Sequence, residues 1–451
     1  MPLYVEDKKI NRLHWPLILS VAAVAGLGVW NLASAGRGEP GALWLAQLKA
    51  LLLGATLAAG SLFIDYRLFR KAAWPLYLGA LLMLVLVHFH GESSHGAQRW
   101  LALGPIHLQP SEFAKLAVIL LLARHFADNP PQERTVRKGG VFASVSGSLE
   151  RRWAAFVAKR RKRLAAAPRK MTAGRTRRQK GYRLPDLVVP LVYLLVPVVL
   201  VVKQPDLGTG LVTVAIGGSL VLFAGLTSGT LATLLTGGAG ATLAVWRMAR
   251  IVLKTPAAAA ASSFSRALAN AKAAPRLTPG QKLAFRLIKP YQAQRVVSFL
   301  HPQRYAQGAA YHVTQSLIAV GSGGLWGKGW GNGTQVQLSF LPEQVTDFAF
   351  PVWAEEHGFV GAAIVVVLYL VLVLIALDIA SQARDRFGAF LAFGAAALFF
   401  WHAFINIAMV TGVLPVVGVP LLLMSYGGSS AVLTLLAIGA LLNVSLRRVG
   451  Q

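Results

Sequence analysis

The chain reads as an all-α polytopic membrane protein of about ten transmembrane helices, with a large extracytoplasmic loop between the seventh and eighth spans. Three observations predict this. Of its 451 residues, 55% are hydrophobic and only 14% are charged, against roughly 25% charged in soluble domains. Apolar runs of about 17–25 residues, long enough to cross a bilayer as a helix, recur along it. The basic residues gather between those runs, as they do in the loops of membrane proteins.

The runs lie near 15–34, 44–64, 74–90, 109–126, 186–203, 207–226, 229–251, 350–377, 388–411 and 429–446. The first is too long for a signal-peptide core and lacks a clear small-residue cleavage site, so it reads as a retained span. An even count puts both termini on one side. Arg67, Arg70, Lys71, the basic 130–183 loop, Arg384, Arg386, Arg447 and Arg448 then share that side. The positive-inside rule makes it the cytoplasm, and the chain a multi-pass protein of the cytoplasmic (inner) membrane with both termini inside. Residues 254–295 run against the rule with eight basic residues from Lys254 to Arg295; long loops contribute little to orientation. Within them 257–274 is low in complexity, while 281–300 has apolar residues at helical spacing and reads as a surface helix. The organisation expected is one transmembrane domain, 1–451, with a basic cytoplasmic insert at 130–183 and an extracytoplasmic loop at 254–349 carrying the site.

The net charge of +28 would suggest nucleic acid in a soluble protein. Here much of it sits in the insert, in runs such as Lys159–Arg163, which suit anionic membrane lipids. Few aromatics interleave it beyond Trp153, Phe156 and Tyr182, so no nucleic-acid partner is expected. The absence of cysteine excludes disulfides, thiol nucleophiles and cysteine-ligated metals.

The polar residues able to do chemistry concentrate in the outer segments. Glu343, Asp347, Glu355 and Glu356 surround the start of the eighth run in a chain otherwise poor in acids. Asp347 either caps that helix or works as a carboxylate at its mouth. Trp100 is either an interfacial anchor or a platform for a sugar ring, with Arg99 beside it for an anion. Glu112 and Lys115 share a helix face at i and i+3, as a local ion pair or with Lys115 against a phosphate. Asp206 reads first as a cap for the next helix and second as a cation ligand. The glycines of 321–333 lack P-loop spacing and sit outside, which rejects ATP chemistry. His88, His90 and His95 give only a weak metal signal. The Gly/Pro-rich stretch 411–430 is a plain loop or a break lining a wet cavity.

Taken together these segments resemble the SEDS family (shape, elongation, division and sporulation proteins) over all ten spans. The resemblance rests on Gly96–Trp100 with Gln109–Glu112, on Gln204–Thr209, and on Gln315-Ser316 leading into Gly321–Gly324. It continues with Phe340–Glu343 to Thr346-Asp347-Phe348, Ala354–Glu356, and Ser425–Ser430, which holds Ser429 and Ser430. Gly331–Gln335 is closer to the elongation branch than to the division branch. Val345, Ala349 and Pro351 depart from the usual pattern, as do the inserts near 130–183 and 254–280.

The resemblance implies a peptidoglycan glycosyltransferase. It would polymerise lipid II onto a growing glycan strand at the outer membrane face during cell elongation. Its partners would be a class B penicillin-binding transpeptidase and other elongation-complex proteins. It also implies that Asp347 is the essential aspartate and that Trp100 matters for function. A carboxylate there would accept the proton of an attacking sugar hydroxyl. The diphosphate leaving group needs charge stabilisation, for which Arg295, Lys115 and Lys328 are candidates, or a divalent cation, Mg or Mn. Gln315, Ser316, Glu343, Ser429 and Ser430 complete the expected substrate-binding set. A lipid II flippase and a non-catalytic scaffold are the alternatives.

Overall fold

The structure, a computed structural model, describes residues 13–37, 42–94, 97–103, 106–131, 133–137, 176–253, 295, 299, 311–338, 340 and 343–447. Every predicted run is occupied by a helix. They are α1 (Trp15–Ala35), α2 (Leu43–Leu62), α3 (Tyr66–His90), α4 (Pro110–Asp128), α5 (Val188–Lys203), α6 (Leu207–Phe223) and α7 (Ser228–Leu253). After two short outer helices, α8 (Tyr311–Ser322) and α9 (Thr334–Gln337), come α10 (Ala349–Ser381), α11 (Arg386–Val410) and α12 (Gly428–Leu446). Among the described residues seven helices are long and apolar enough to cross a membrane; α6 is apolar but has 17 residues.

Boundaries differ most at α3, which starts at Tyr66 rather than near 74. Its first turns hold Arg67, Arg70 and Lys71, so an apolar count misses them. Asp65 starts the helix by accepting the Arg67 N–H at 2.9 Å. The connections also hold two small sheets that the helical reading lacked. Strands β1 (Glu92–Ser94), β2 (Ala97–Leu103) and β3 (Ile106–Leu108) form an antiparallel meander between α3 and α4, with Trp100 opposite Glu92 and Leu101 opposite Leu108. Strands β4 (Glu133–Arg137) and β5 (Thr176–Lys180) pair antiparallel at the base of the basic insert. The surface helix expected at 281–300 and the low-complexity 257–274 lie outside the described residues, save 295 and 299.

The core centres on α11, packed on α10, α4, α6 and α12, while α2 packs along α12. Helix ends meet on two faces. On one, Arg70 pairs with Asp128, Arg124 donates to the Arg70 carbonyl at 3.1 Å, and Arg447 donates to the Leu62 carbonyl. On the other, Asn31 donates to the Ala349 carbonyl (2.9 Å) and Gln204 to the Leu84 carbonyl (2.7 Å). The site is built on this second face.

Two irregular stretches shape that face. Helix α10 breaks at Gly358 (φ +65°), and the loop after α8 docks into the break. Lys328 and Gly329 donate their N–H groups to the Glu355 and Glu356 carbonyls (3.0 and 2.9 Å), and Phe359 donates to the Gly324 carbonyl (2.8 Å). A Cβ at Gly358 would lie 2.4 Å from the Gly327 nitrogen, so both the backbone sign and the close approach require glycine. The second stretch, 411–427, is a non-helical break between α11 and α12. Its second half is largely enclosed, with Val419 and Leu421–Ser425 buried, the condition under which such breaks are tolerated at membrane depth, while 411–418 is partly exposed.

Candidate active site

Asp347 stands two residues before α10 and does not cap it. The helix N-cap is Phe348, and no side chain caps it. Among the described residues none donates a hydrogen bond to the Asp347 carboxylate. Its main chain is held firmly instead: Asn406 Nδ2, fully buried on α11, donates to the Asp347 carbonyl at 2.9 Å and to the Val419 carbonyl at 2.6 Å. The carboxylate lies over Gly418 (φ +73°) of the break, where a Cβ would sit 3.1 Å from Oδ2. Burial raises the Asp347 pKa to about 6; the neighbouring Glu343 and Asp206 push the same way, while Arg295 and Arg99 oppose them.

The surrounding groups come from four places in the sequence. Arg99 on β2 donates to the Pro205 carbonyl, while its Nε is buried without a partner. Arg99 is the extra residue of a β-bulge, since Glu92 pairs with Trp100 while Ser93 pairs with Gln98. Asp206 caps α6 by accepting the Thr209 N–H at 3.2 Å, as its spacing predicted. Glu343, exposed and at φ +57°, accepts from Thr346 Oγ1 at 2.9 Å. His312 of α8 stacks on Phe348 with ring centroids 6.0 Å apart. Burial lowers the His312 pKa, the Glu343 charge raises it and Arg295 lowers it.

The structure separates the other expected residues from this cluster. Lys115 is 2% exposed inside the bundle, donating to Glu112 Oε1 and contacting His402 Nε2, both at 2.7 Å. This is the ion-pair reading of Glu112 and Lys115, and it leaves the ammonium no open side for a phosphate. Lys328 is likewise engaged, with Glu355 Oε1 at 2.6 Å and Thr334 Oγ1 at 2.9 Å. Ser316 is buried and donates to the Val410 carbonyl (2.7 Å), which fastens α8 to the end of α11. Ser429 Oγ accepts the Gln109 N–H at 3.3 Å, and Ser430 lies in the first turn of α12. Gln315 is half-buried on α8. Of the charged candidates, Asp347, Glu343, Arg99 and Arg295 come together. For a divalent cation, no three acidic or histidine side chains converge among the described residues; the donors fitting one in kind are the Asp347 and Glu343 oxygens.

Sequence reading missed Asn406, His402, Gly418 and His312. One signal was available: His402 and Asn406 stand at i and i+4 in an otherwise apolar run.

A helical bundle with a raised carboxylate, flanked by guanidinium groups, at one mouth defines a class: an integral membrane protein with a candidate acid–base site at one face. The chain belongs to the FtsW/RodA/SpoVE family, described as "Cell cycle protein", whose match covers residues 14–149 and 164–449. It is 33% identical over 433 residues to the peptidoglycan glycosyltransferase MrdB of Escherichia coli strain K12, covering 96% of this chain and 92% of that protein. It is 29% identical over 483 residues to the peptidoglycan glycosyltransferase RodA of Treponema pallidum, covering 98% and 99%. Relatives named FtsW match as well. Among solved structures it is similar to a peptidoglycan synthase complex described as coordinating polymerization and crosslinking. That match has a TM-score of 0.68 and 27% identity, over 97% of this chain and 99% of that one.

Proposed function

We infer that the chain is a peptidoglycan glycosyltransferase whose catalytic base is Asp347. It polymerises lipid II into glycan strands at the outer face of the cytoplasmic membrane during elongation. The observation that carries this reading is the Asp347 carboxylate. It is held by its main chain, takes no hydrogen bond from a described residue, and is raised to a pKa of about 6. Such a group is ionised at neutral pH and still basic enough to take a proton.

A sugar hydroxyl attacks the anomeric carbon of the neighbouring lipid-linked sugar and gives its proton to Asp347. The new C–O bond forms as the bond to the diphosphate breaks, and the undecaprenyl diphosphate leaves. In-line attack converts the α-linked donor to a β-linked product. Arg99 and Arg295, both acting electrostatically at Asp347, are placed to offset the charge of the departing diphosphate. Lys115 and Lys328 are committed to Glu112 and Glu355. A divalent cation, held by Asp347 and Glu343 oxygens, would supply the same charge stabilisation. The proposed partner is a class B penicillin-binding protein, supported by the likeness to a synthase complex of polymerization and crosslinking. A flippase or scaffold has no need of an ionised base at this mouth.

Asp347→Asn keeps the shape of the side chain and removes the base. Purified protein with lipid II and no ATP should lose at least about 100-fold in polymerisation. Near wild-type polymer from the Asn variant would overturn the assignment.

A further inference from the structure

Helix α11 presents two buried polar side chains one turn apart, His402 (1% exposed) and Asn406 (0%), to two consecutive carbonyls of the 411–427 break. His402 Nδ1 lies 3.1 Å from the Pro420 carbonyl, and Asn406 Nδ2 lies 2.6 Å from the Val419 carbonyl. Those carbonyls directly follow Gly418, the residue beneath the Asp347 carboxylate. Asn406 Nδ2 also holds the Asp347 carbonyl. One helix face thus grips both the residue bearing the carboxylate and the strip on which it rests.

The other end of this grip lies in α4. The Lys115 ammonium can only donate, so His402 Nε2, 2.7 Å away, must accept. The single ring proton then sits on Nδ1, where it is donated to the Pro420 carbonyl. Glu112 in turn holds Lys115 at 2.7 Å and balances its charge inside the bundle.

We propose that Glu112, Lys115, His402 and Asn406 form one positioning relay that sets where Asp347 stands over Gly418. In it the Glu112–Lys115 ion pair fixes the tautomer of His402 and binds no substrate. The relay rests on Asp347 being the catalytic base. Its members touch neither substrate nor reacting atoms, so loss of one should lower kcat and leave KM for lipid II nearly unchanged.

Two substitutions divide the histidine's duties. His402→Asn places an amide donor near the Nδ1 position, toward Pro420, and gives up Lys115. His402→Gln keeps an acceptor near Nε2 for Lys115 and gives up Pro420. The Asn variant should retain the larger share of kcat, by about tenfold over Gln. Asn406→Leu removes both of its donated bonds at similar volume. It should lower kcat by 10-fold or more and move the acidic limb of the pH–rate profile away from 6 toward the ordinary carboxylate range. The groups facing Asp347 in that profile are Glu343, Arg295, Asp206 and Arg99.

Polymerisation of lipid II is measured for each variant in the full-length protein, with thermal midpoint as a check on folding. A Gln variant equal to or better than Asn at position 402 overturns the relay. So does an Asn406→Leu protein with wild-type kcat and an unmoved acidic limb. If Asn406→Leu does not fold, the position-402 ranking decides alone. Asp347→Asn, run in parallel, separates the two claims. An active Asp347→Asn protein defeats the base assignment, whereas an inactive one beside normal relay variants defeats only the relay.

Discussion

Two carboxylates eight residues apart, Asp347 and Glu355, are treated in opposite ways by the same face of the molecule. Glu355 is fully buried. Its Oε1 takes Lys328 Nζ (2.6 Å), Thr334 Oγ1 (2.8 Å) and Thr334 N (2.9 Å), with Ser322 and Gln335 at 3.4 Å. Both oxygens are engaged, Oε2 accepting the Gln335 N–H at 3.3 Å, and the acid serves to fasten the 323–337 loop to α10. Asp347 has its main chain fastened, while its carboxylate takes no hydrogen bond from a described residue. Acid content at the start of a membrane helix therefore says little about chemistry; how far the oxygens are already satisfied decides between scaffold and site.

The largest test of that contrast is pH. A base must be ionised, so with a pKa raised to about 6 the rate should be near its plateau at pH 7. It should fall about tenfold per unit below 6, roughly 100-fold by pH 4. Removing the charge of Glu343, one of the groups that raises Asp347, should move this limb to lower pH in Glu343→Gln. An acidic limb that stays in place would break the electrostatic link between the two acids.

Glu355→Gln should behave in the opposite manner. It should lower stability by about 2 kcal/mol, less than the loss on breaking a fully buried pair because Lys328 remains partly solvated. Turnover of the folded fraction should stay within about threefold. Thermal midpoint and initial rate, measured on one preparation, separate the effects. Lost turnover at an unchanged midpoint would make Glu355 a working acid and erase the contrast.

Trp100→Ala should raise KM by about fivefold, the value of an aromatic contact of about 1 kcal/mol, and Trp100→Phe should recover most of it. Equal loss in both, with normal folding, would assign Trp100 to the structure of the β1–β3 meander. The smallest catalytic effect is expected on the opposite face. Deleting 140–175, which spares the β4–β5 pair, should leave glycosyl transfer in detergent unchanged. A peptide of residues 151–180 should bind anionic vesicles, at about 1 kcal/mol per basic residue near the surface, and release them as salt rises. Equal partitioning onto neutral vesicles would remove the lipid tether.

Much of this was legible in the sequence because a bilayer imposes a length and a polarity that single residues cannot evade. The ten apolar runs, the family, the cap at Asp206 and the prominence of Asp347 followed from patterns within short windows. What the windows could not carry were contacts between distant segments. Trp100 and Arg99 are neighbours in sequence, yet Arg99 is bulged out of the strand register, and only the fold brings it to Asp347. The Glu112–Lys115 pair was one of two sequence readings, but its His402 contact and the pairing of Lys328 with Glu355 came only with the tertiary structure. Asn406, 59 residues from Asp347, joined the site through hydrogen bonds that no periodicity announces. Membrane insertion is a property of each segment against lipid, so the sequence by itself determined it. The state of a carboxylate depends on which donors long-range packing delivers within about 3 Å, and only the tertiary structure decided that.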